Sequence, residues 1–257
     1  MTLTYVTITY NAAAVLRRTL DSVLAQDYPD IVHLIIDGAS TDGTLEIVNN
    51  YIEHSNAADN GHRIQVISEP DKGIYDAMNK GLRSLSGDYV CFLNAGDFLP
   101  AADVARKIAE QVQAFGSQPA VLYGDTDIVD ENGHFLRHRR LAPPENLTWK
   151  SFRHGMLVCH QAFYARTDFA ITTPYDQQYR YSADVDWCIR VMKAAAQEKV
   201  PLLNLHMVVA NYTEEGQTTL HHRESLIERY RVMECHYGRV QTFLMHCWFA
   251  VRSLISR

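Results

Sequence analysis

No Cys-x-x-Cys pair occurs in this chain, and its five cysteines are odd in number. Neither a disulfide framework nor a structural zinc site is expected; reduced and mostly buried thiols are. No apolar run reaches the roughly 20 uninterrupted residues that a membrane-spanning helix needs. The start, Met1-Thr2-Leu3-Thr4-Tyr5, has no basic leader, so no signal peptide is expected and the expected location is cytoplasmic. A basic stripe is missing too. Lys and Arg number 24 against 30 Asp and Glu, the net charge is −6, and the cations are scattered, which speaks against nucleic acid as a partner. Internal repeats and low-complexity segments are absent. The turn after the first apolar run reads Tyr10-Asn11-Ala12-Ala13-Ala14 rather than G-x-G-x-x-G, and no G-x-x-x-x-G-K-[ST] occurs. Dinucleotide and P-loop cradles are therefore excluded.

What is present is a chain of 257 residues, 47% hydrophobic, which suits one large α/β core without staples. Leu3 to Tyr10 is β-branched and aromatic and reads as a buried strand. Ala12 to Gln26 carries Val15, Leu16, Leu20, Val23 and Leu24 at helical spacing. Strand Ile31 to Ile36, helix Thr44 to Tyr51, a polar loop from Asn56 to His62, strand Arg63 to Ser68, helix Ile74 to Leu85 and strand Tyr89 to Leu93 follow. This alternation implies right-handed crossovers and an α/β, Rossmann-like, mostly parallel sheet with helices on both faces. Helix Val104 to Phe115, strand Ala120 to Tyr123, a hairpin turn at Asp130 to Gly133, a strand around Phe163-Tyr164, helix Tyr181 to Ala196 and strand Leu203 to Tyr212 come next, with helical segments from His222 onward.

Ligands of such sheets sit at the carboxyl ends of the strands. Here those ends read Tyr10-Asn11, Asp37-Gly38, Glu69-Pro70-Asp71 and Asn94-Ala95-Gly96-Asp97, and three of the four carry a carboxylate. The helix opened by Asp71-Lys72-Gly73 has an N-terminus suited to phosphate oxygens. Asp76, Asn79 and Lys80 share one of its faces, Lys72 can meet a diphosphate, and Gly73 lets a ligand approach the backbone.

The ordered set resembles family 2 of the inverting glycosyltransferases, whose nucleotide-sugar fold is GT-A, and within it the bacterial exopolysaccharide enzymes of the colanic-acid kind. It comprises Thr9-Tyr10-Asn11, the run from Ile36 to Thr44 (IDGASTDGT), Glu69 to Asp97, His160-Gln161, Asp184 and Gly216 to Thr219, and spans residue 3 to about 220. The resemblance implies that Asp37 accepts a hydrogen bond from the nucleobase, as a carboxylate can from a ring N–H of uracil or guanine. It implies that Tyr10 packs on that base and that Thr9, Asn11, Lys72, Gly73, Asp76, Asn79, Asn94 and His160 line the donor site. Asp97 is implied as the protein ligand of Mg²⁺ or Mn²⁺, one carboxylate plus the donor diphosphate being enough for such ions. Asp184 is implied as the catalytic base, with Asp186 in reserve. Two departures stand out. Asn94 and Gly96 replace carboxylates of the usual metal motif, and Ala183 stands where an acidic residue often precedes the base.

The implied reaction moves a sugar from a UDP-, GDP- or dTDP-sugar to a hydroxyl of a saccharide or polyprenyl-linked acceptor, with inversion, in bacterial cell-surface polysaccharide synthesis. Two alternatives stay open. One is a non-catalytic subunit that binds nucleotide-sugars. The other is a sugar nucleotidyltransferase, which would want a basic, Gly-rich loop where Ala12-Ala13-Ala14 stands. The expected division is a transferase domain over 1–220 and a helical extension over 221–257. In that extension Val240, Phe243, Leu244, Cys247, Trp248, Val251, Leu254 and Ile255 form one apolar face, flanked by Arg239, Arg252 and Arg257. This helix can pack on the domain, form a homodimer, or lie on the inner face of the cell membrane. Thr213 to Thr219 is expected to form a loop over the donor, and His221-His222 to face solvent.

Overall fold

The structure, a computed structural model, describes residues 1–213 and 222–255. The stretch from 214 to 221, with most of the expected donor loop and His221, lies outside the described residues, as does the side chain of His222.

Eight described strands form one sheet: β1 (Leu3–Thr9), β2 (Ile31–Asp37), β3 (Arg63–Ser68), β4 (Tyr89–Phe92), β5 (Val121–Val129), β6 (Phe135–His138), β7 (Phe163–Arg166) and β8 (Leu202–Thr213). The order is β3-β2-β1-β4-β7-β5-β6, with β8 on the other edge of β5. Strands β3, β2, β1 and β4 run parallel. β7 is antiparallel to both β4 and β5, and β5 and β8 are parallel. The sheet is mostly parallel, as the sequence predicts, with β6 and β7 as its antiparallel members.

Every residue of β1 and β2 is buried, as expected when helices cover both faces of a sheet. The alternation shows in β2. Leu34 and Ile36 join the main core, whereas Ile35 meets Leu16, Leu20, Val48 and Tyr51 in a smaller one. The smaller core is roofed by α1 (Leu16–Leu24) and α2 (Thr44–Ala58). The main core takes α3 (Ile74–Arg83), α4 (Val104–Phe115), α5 (Thr167–Thr172) and α6 (Ala183–Gln197). Helix α2 runs seven residues past its expected end. Ser55 is buried one turn beyond Tyr51, and a left-handed Asp59 stops the helix.

Two helices close the described chain, α7 (His222–Tyr237) and α8 (Arg239–Ile255), joined at Gly238. Helix α7 packs on α6 and buries Val232 and Met233. Among the described residues, no helix is long and apolar enough to cross a membrane.

Candidate active site

The carboxyl ends of β1 and β2 stand level, with Thr9 paired to Asp37 and Gly38 N–H donating to the Thr9 carbonyl at 2.9 Å. Asp37 is fully buried, and its carboxylate accepts from Ser40 N–H (3.0 Å), Ser40 Oγ (2.5 Å) and Ser68 Oγ (2.7 Å). Those bonds hold the turn after β2 in one shape. Asn11 braces the same turn, its Oδ1 accepting from Thr41 N–H and its own N–H donating to Ser40 Oγ. Beside the turn, Tyr10 leaves 65% of its surface in solvent. Gly38 has no room for a side chain. A Cβ there would come within 2.5 Å of Asp71 Oδ2 and 3.2 Å of Tyr10 Cδ2. The Tyr10 ring and the Asp71 carboxylate thus flank bare backbone in a narrow slot, and the outer face of Tyr10 stays open to solvent.

Helix α3 begins beside this slot. Gly73 takes φ +117, open space lies where its Cβ would be, and its N–H donates to Asp71 Oδ1 at 2.8 Å. Asp76 caps its own helix by accepting from the Lys72 N–H at 3.0 Å, and its other oxygen meets Gln177. Lys80 Nζ donates to the Pro70 carbonyl and pairs with Glu69, fixing the loop before the helix. Asn79 is buried and fully engaged with the Tyr175 backbone, through Nδ2 to the carbonyl (2.9 Å) and through Oδ1 from the N–H (2.7 Å). The shared helix face read from the sequence therefore holds this end of the cleft together, and the solvent-exposed group next to the helix start is Lys72.

The third part of the site joins β4, β7 and α6. Asp97 is buried; Gln161 Nε2 donates to its Oδ2 at 2.6 Å and Thr213 N–H points at its Oδ1 at 3.4 Å. Burial pushes the Asp97 carboxyl up to about 6, against the lowering effects of Gln161 and His160. His160, next in the chain to Gln161, reaches the other carboxylate, with its Nδ1 3.5 Å from Asp184 Oδ2. Its Nε2 stands 3.1 Å from Asn94 Nδ2, while Asn94 Oδ1 is buried without a hydrogen-bond partner among the described residues. The two carboxylates named from the sequence therefore share one site, bridged by the His160-Gln161 dipeptide.

Asp184 lies in the first turn of α6, where helix N–H groups favour an anion. Burial raises its carboxyl, but His160, through a hydrogen bond and its charge, and Arg229 outweigh this and leave it below the usual carboxylate range. Its other oxygen accepts from the Tyr75 hydroxyl at 3.2 Å. Tyr75 stacks on Tyr175, and Tyr175 stacks on Trp187, so a column of rings fixes that hydroxyl. Glu228 of α7 fixes the approach to α6 by accepting from the N–H groups of Arg180 (2.7 Å), Tyr181 (2.6 Å) and Ser182 (2.8 Å). Asp186 is used elsewhere, held by Arg190 at 2.6 Å and His236 at 2.7 Å.

Three of these residues, Tyr75, Glu228 and Arg229, carry no local sequence signal. A cation fits the site only in part. Among the described residues, no group of three or more His, Cys, Asp or Glu could hold a metal alone. The orphaned Asn94 oxygen and the Asp97 carboxylate, one turn apart, suit an ion that takes its other ligands from phosphate.

The sequence model of Glycosyl transferase family 2 matches residues 4–172. A PGL/p-HBAD biosynthesis glycosyltransferase of Mycobacterium bovis is 35% identical over 213 residues, covering 81% of this chain and 75% of that protein. Two solved structures share the fold. S. aureus TarS 1-349 in complex with UDP-GlcNAc superposes with a TM-score of 0.70 at 17% identity, over 91% of this chain. Mannosyltransferase PcManGT from Pyrobaculum calidifontis, in complex with GDP-Man and Mn²⁺, superposes with 0.59 at 19% identity, over 97% of this chain. The chain spans about two thirds of each of those two structures, 65% and 64%.

Proposed function

The chain belongs to glycosyl transferase family 2, and from that premise we propose that it transfers a sugar, with inversion, from a nucleoside-diphosphate sugar to a hydroxyl of a saccharide or polyprenyl-linked acceptor in bacterial cell-surface polysaccharide synthesis. The observation that carries this reading is Asp184: a partly exposed carboxylate, held ionised, in one cleft with Asp97 and the helix start at Gly73. The base of the donor stacks on the exposed ring of Tyr10 beside Gly38, with Asp37 beneath shaping the turn. Lys72 and the start of α3 meet the diphosphate. Asp184 accepts the proton of the acceptor hydroxyl as that oxygen bonds to the anomeric carbon. The bond from that carbon to the diphosphate oxygen breaks on the opposite face, and the nucleoside diphosphate leaves. Asp97 and Asn94 would hold a divalent cation together with the donor diphosphate, and its chemistry would be to offset charge on the leaving group.

Release of nucleoside diphosphate from a panel of UDP-, GDP- and dTDP-sugars, with and without Mn²⁺ and saccharide acceptors, tests the proposal. Acceptor-stimulated release, lost in Asp184→Asn, is the expected result. Donor binding with no turnover across the panel would instead leave a binding subunit.

A further inference from the structure

Helix α8 exposes a continuous apolar stripe. Val240, Phe243, Leu244, Cys247, Trp248 and Val251 recur at offsets of 3, 4, 7, 8 and 11 residues, which is one side of a helix. All six are exposed, the five other than Cys247 at between 46% and 76%. The opposite side is spoken for. Thr242 is buried, and His246 sits edge-on to Tyr230 of α7, with ring centroids 4.8 Å apart. The stripe is thus an outward face rather than an unpacked core.

Charge decides what covers it. Beyond Glu234 the sequence holds no Asp or Glu through Arg257, while Arg239, Arg252 and Arg257 fall in that stretch. This positive end belongs to a chain whose net charge is −6. Arg239 pairs with Glu234 at 2.8 Å. A second copy of the chain would bring the same positive surplus to the contact. A stable dimer also engages roughly 20–30 residues a side, and the stripe offers six. Over its described residues the helix is not long and apolar enough to cross a bilayer. An apolar face with Phe and Trp, bordered by arginines and free of acids, is the pattern of a helix lying in the surface of an anionic bilayer.

We propose that α8 docks this transferase on an anionic lipid surface, with Phe243 and Trp248 entering the headgroup–acyl boundary. Helix α7 links that surface to the chemistry, because its Glu228 fixes the approach to α6 and Asp184. An acceptor whose sugar is carried on a membrane lipid follows from this placement; that clause rests on the transferase reading, whereas the lipid contact does not.

The test is sedimentation of the full chain with vesicles of phosphatidylcholine alone, or with about a third phosphatidylglycerol. The expected result is binding to the anionic vesicles, weakened by salt, and at least tenfold weaker in Phe243→Ser/Trp248→Ser. Val240→Ser, at an exposed position, is a milder second variant and should weaken binding in the same direction. Unchanged thermal stability shows that each variant is folded. Three results would overturn the proposal: no preference for anionic vesicles, equal binding by both variants, or a dimer in sedimentation velocity that the double variant dissociates. All of these readouts are independent of sugar transfer, so failure of the lipid contact and failure of the transferase reading are told apart.

Discussion

His160 and Gln161 are neighbours in sequence, and each serves a different carboxylate: the imidazole stands 3.5 Å from Asp184, and the carboxamide donates to Asp97 at 2.6 Å. The two carboxylates are therefore spaced by the one short turn that leads into β7. Substitutions on either side of it test two proposed roles that share a scaffold.

Asp184→Asn removes the proposed proton acceptor while keeping the shape and the bond from Tyr75. The turnover number should fall roughly 10²–10⁴-fold, the range for loss of a general base, with the donor dissociation constant little changed. Single-turnover kinetics beside donor titration calorimetry checks this. Turnover at the parental rate would remove Asp184 from the mechanism.

The Asp97 carboxyl titrates near pH 6 rather than near its usual 3.8. The folded value is raised, so the protonated form favours the fold and that share of stability is lost as pH rises from about 4 through 6. A cation needs the ionised form, so Mn²⁺-dependent stabilisation by a nucleotide-sugar should grow over the same range and shrink below pH 6. Asp97→Asn should flatten both trends in thermal melts between pH 4.5 and about 8.

Glu228→Ala leaves three backbone N–H groups before α6 without their acceptor. Hydrogen bonds to a charged group contribute about 1.5–3 kcal/mol, so a loss near 2 kcal/mol in stability is expected, read as a melting-point drop of several degrees. The more telling readout is kinetic. The turnover number should fall while the donor KM holds, because the proposed donor site is formed by β1, β2 and α3.

Tyr10→Ala opens one wall of the slot over Gly38. Stacking of a base on an aromatic ring contributes about 1–3 kcal/mol, so donor affinity should weaken roughly 5- to 150-fold with little change in melting point, the side chain being mostly exposed. An unchanged nucleotide affinity would move the base elsewhere.

Much of the fold was legible because its signals are local. β-branched, aromatic and apolar runs at β1 and β2, helices at the right spacing, and carboxylates at strand ends announce a parallel sheet and its ligand edge. The hairpin turn at Asp130 was legible for the same reason; its side chain accepts from the N–H groups of Asn132 and His134. The site was legible in its acids and less so in its supports. Asn79 reads as a cleft residue by helix spacing, yet its partner is the Tyr175 backbone, 96 residues away. Tyr75 meets Asp184 across 109 positions, and Glu228 meets Tyr181 across 47. Such pairings are set by tertiary packing, and no window along the chain contains both partners. Antiparallel β7 was equally hidden, since a strand of four residues does not state its direction.

The order in which a ribosome releases this chain has a consequence. The slot at Tyr10, Gly38 and Asp71 emerges within the first third, whereas the glutamate that steadies the start of α6 follows Asp184 by more than forty residues. The residues proposed to meet the nucleotide are therefore joined well before the one that steadies the proposed proton acceptor, so a fragment ending ahead of α7 would keep the first group and lack the second.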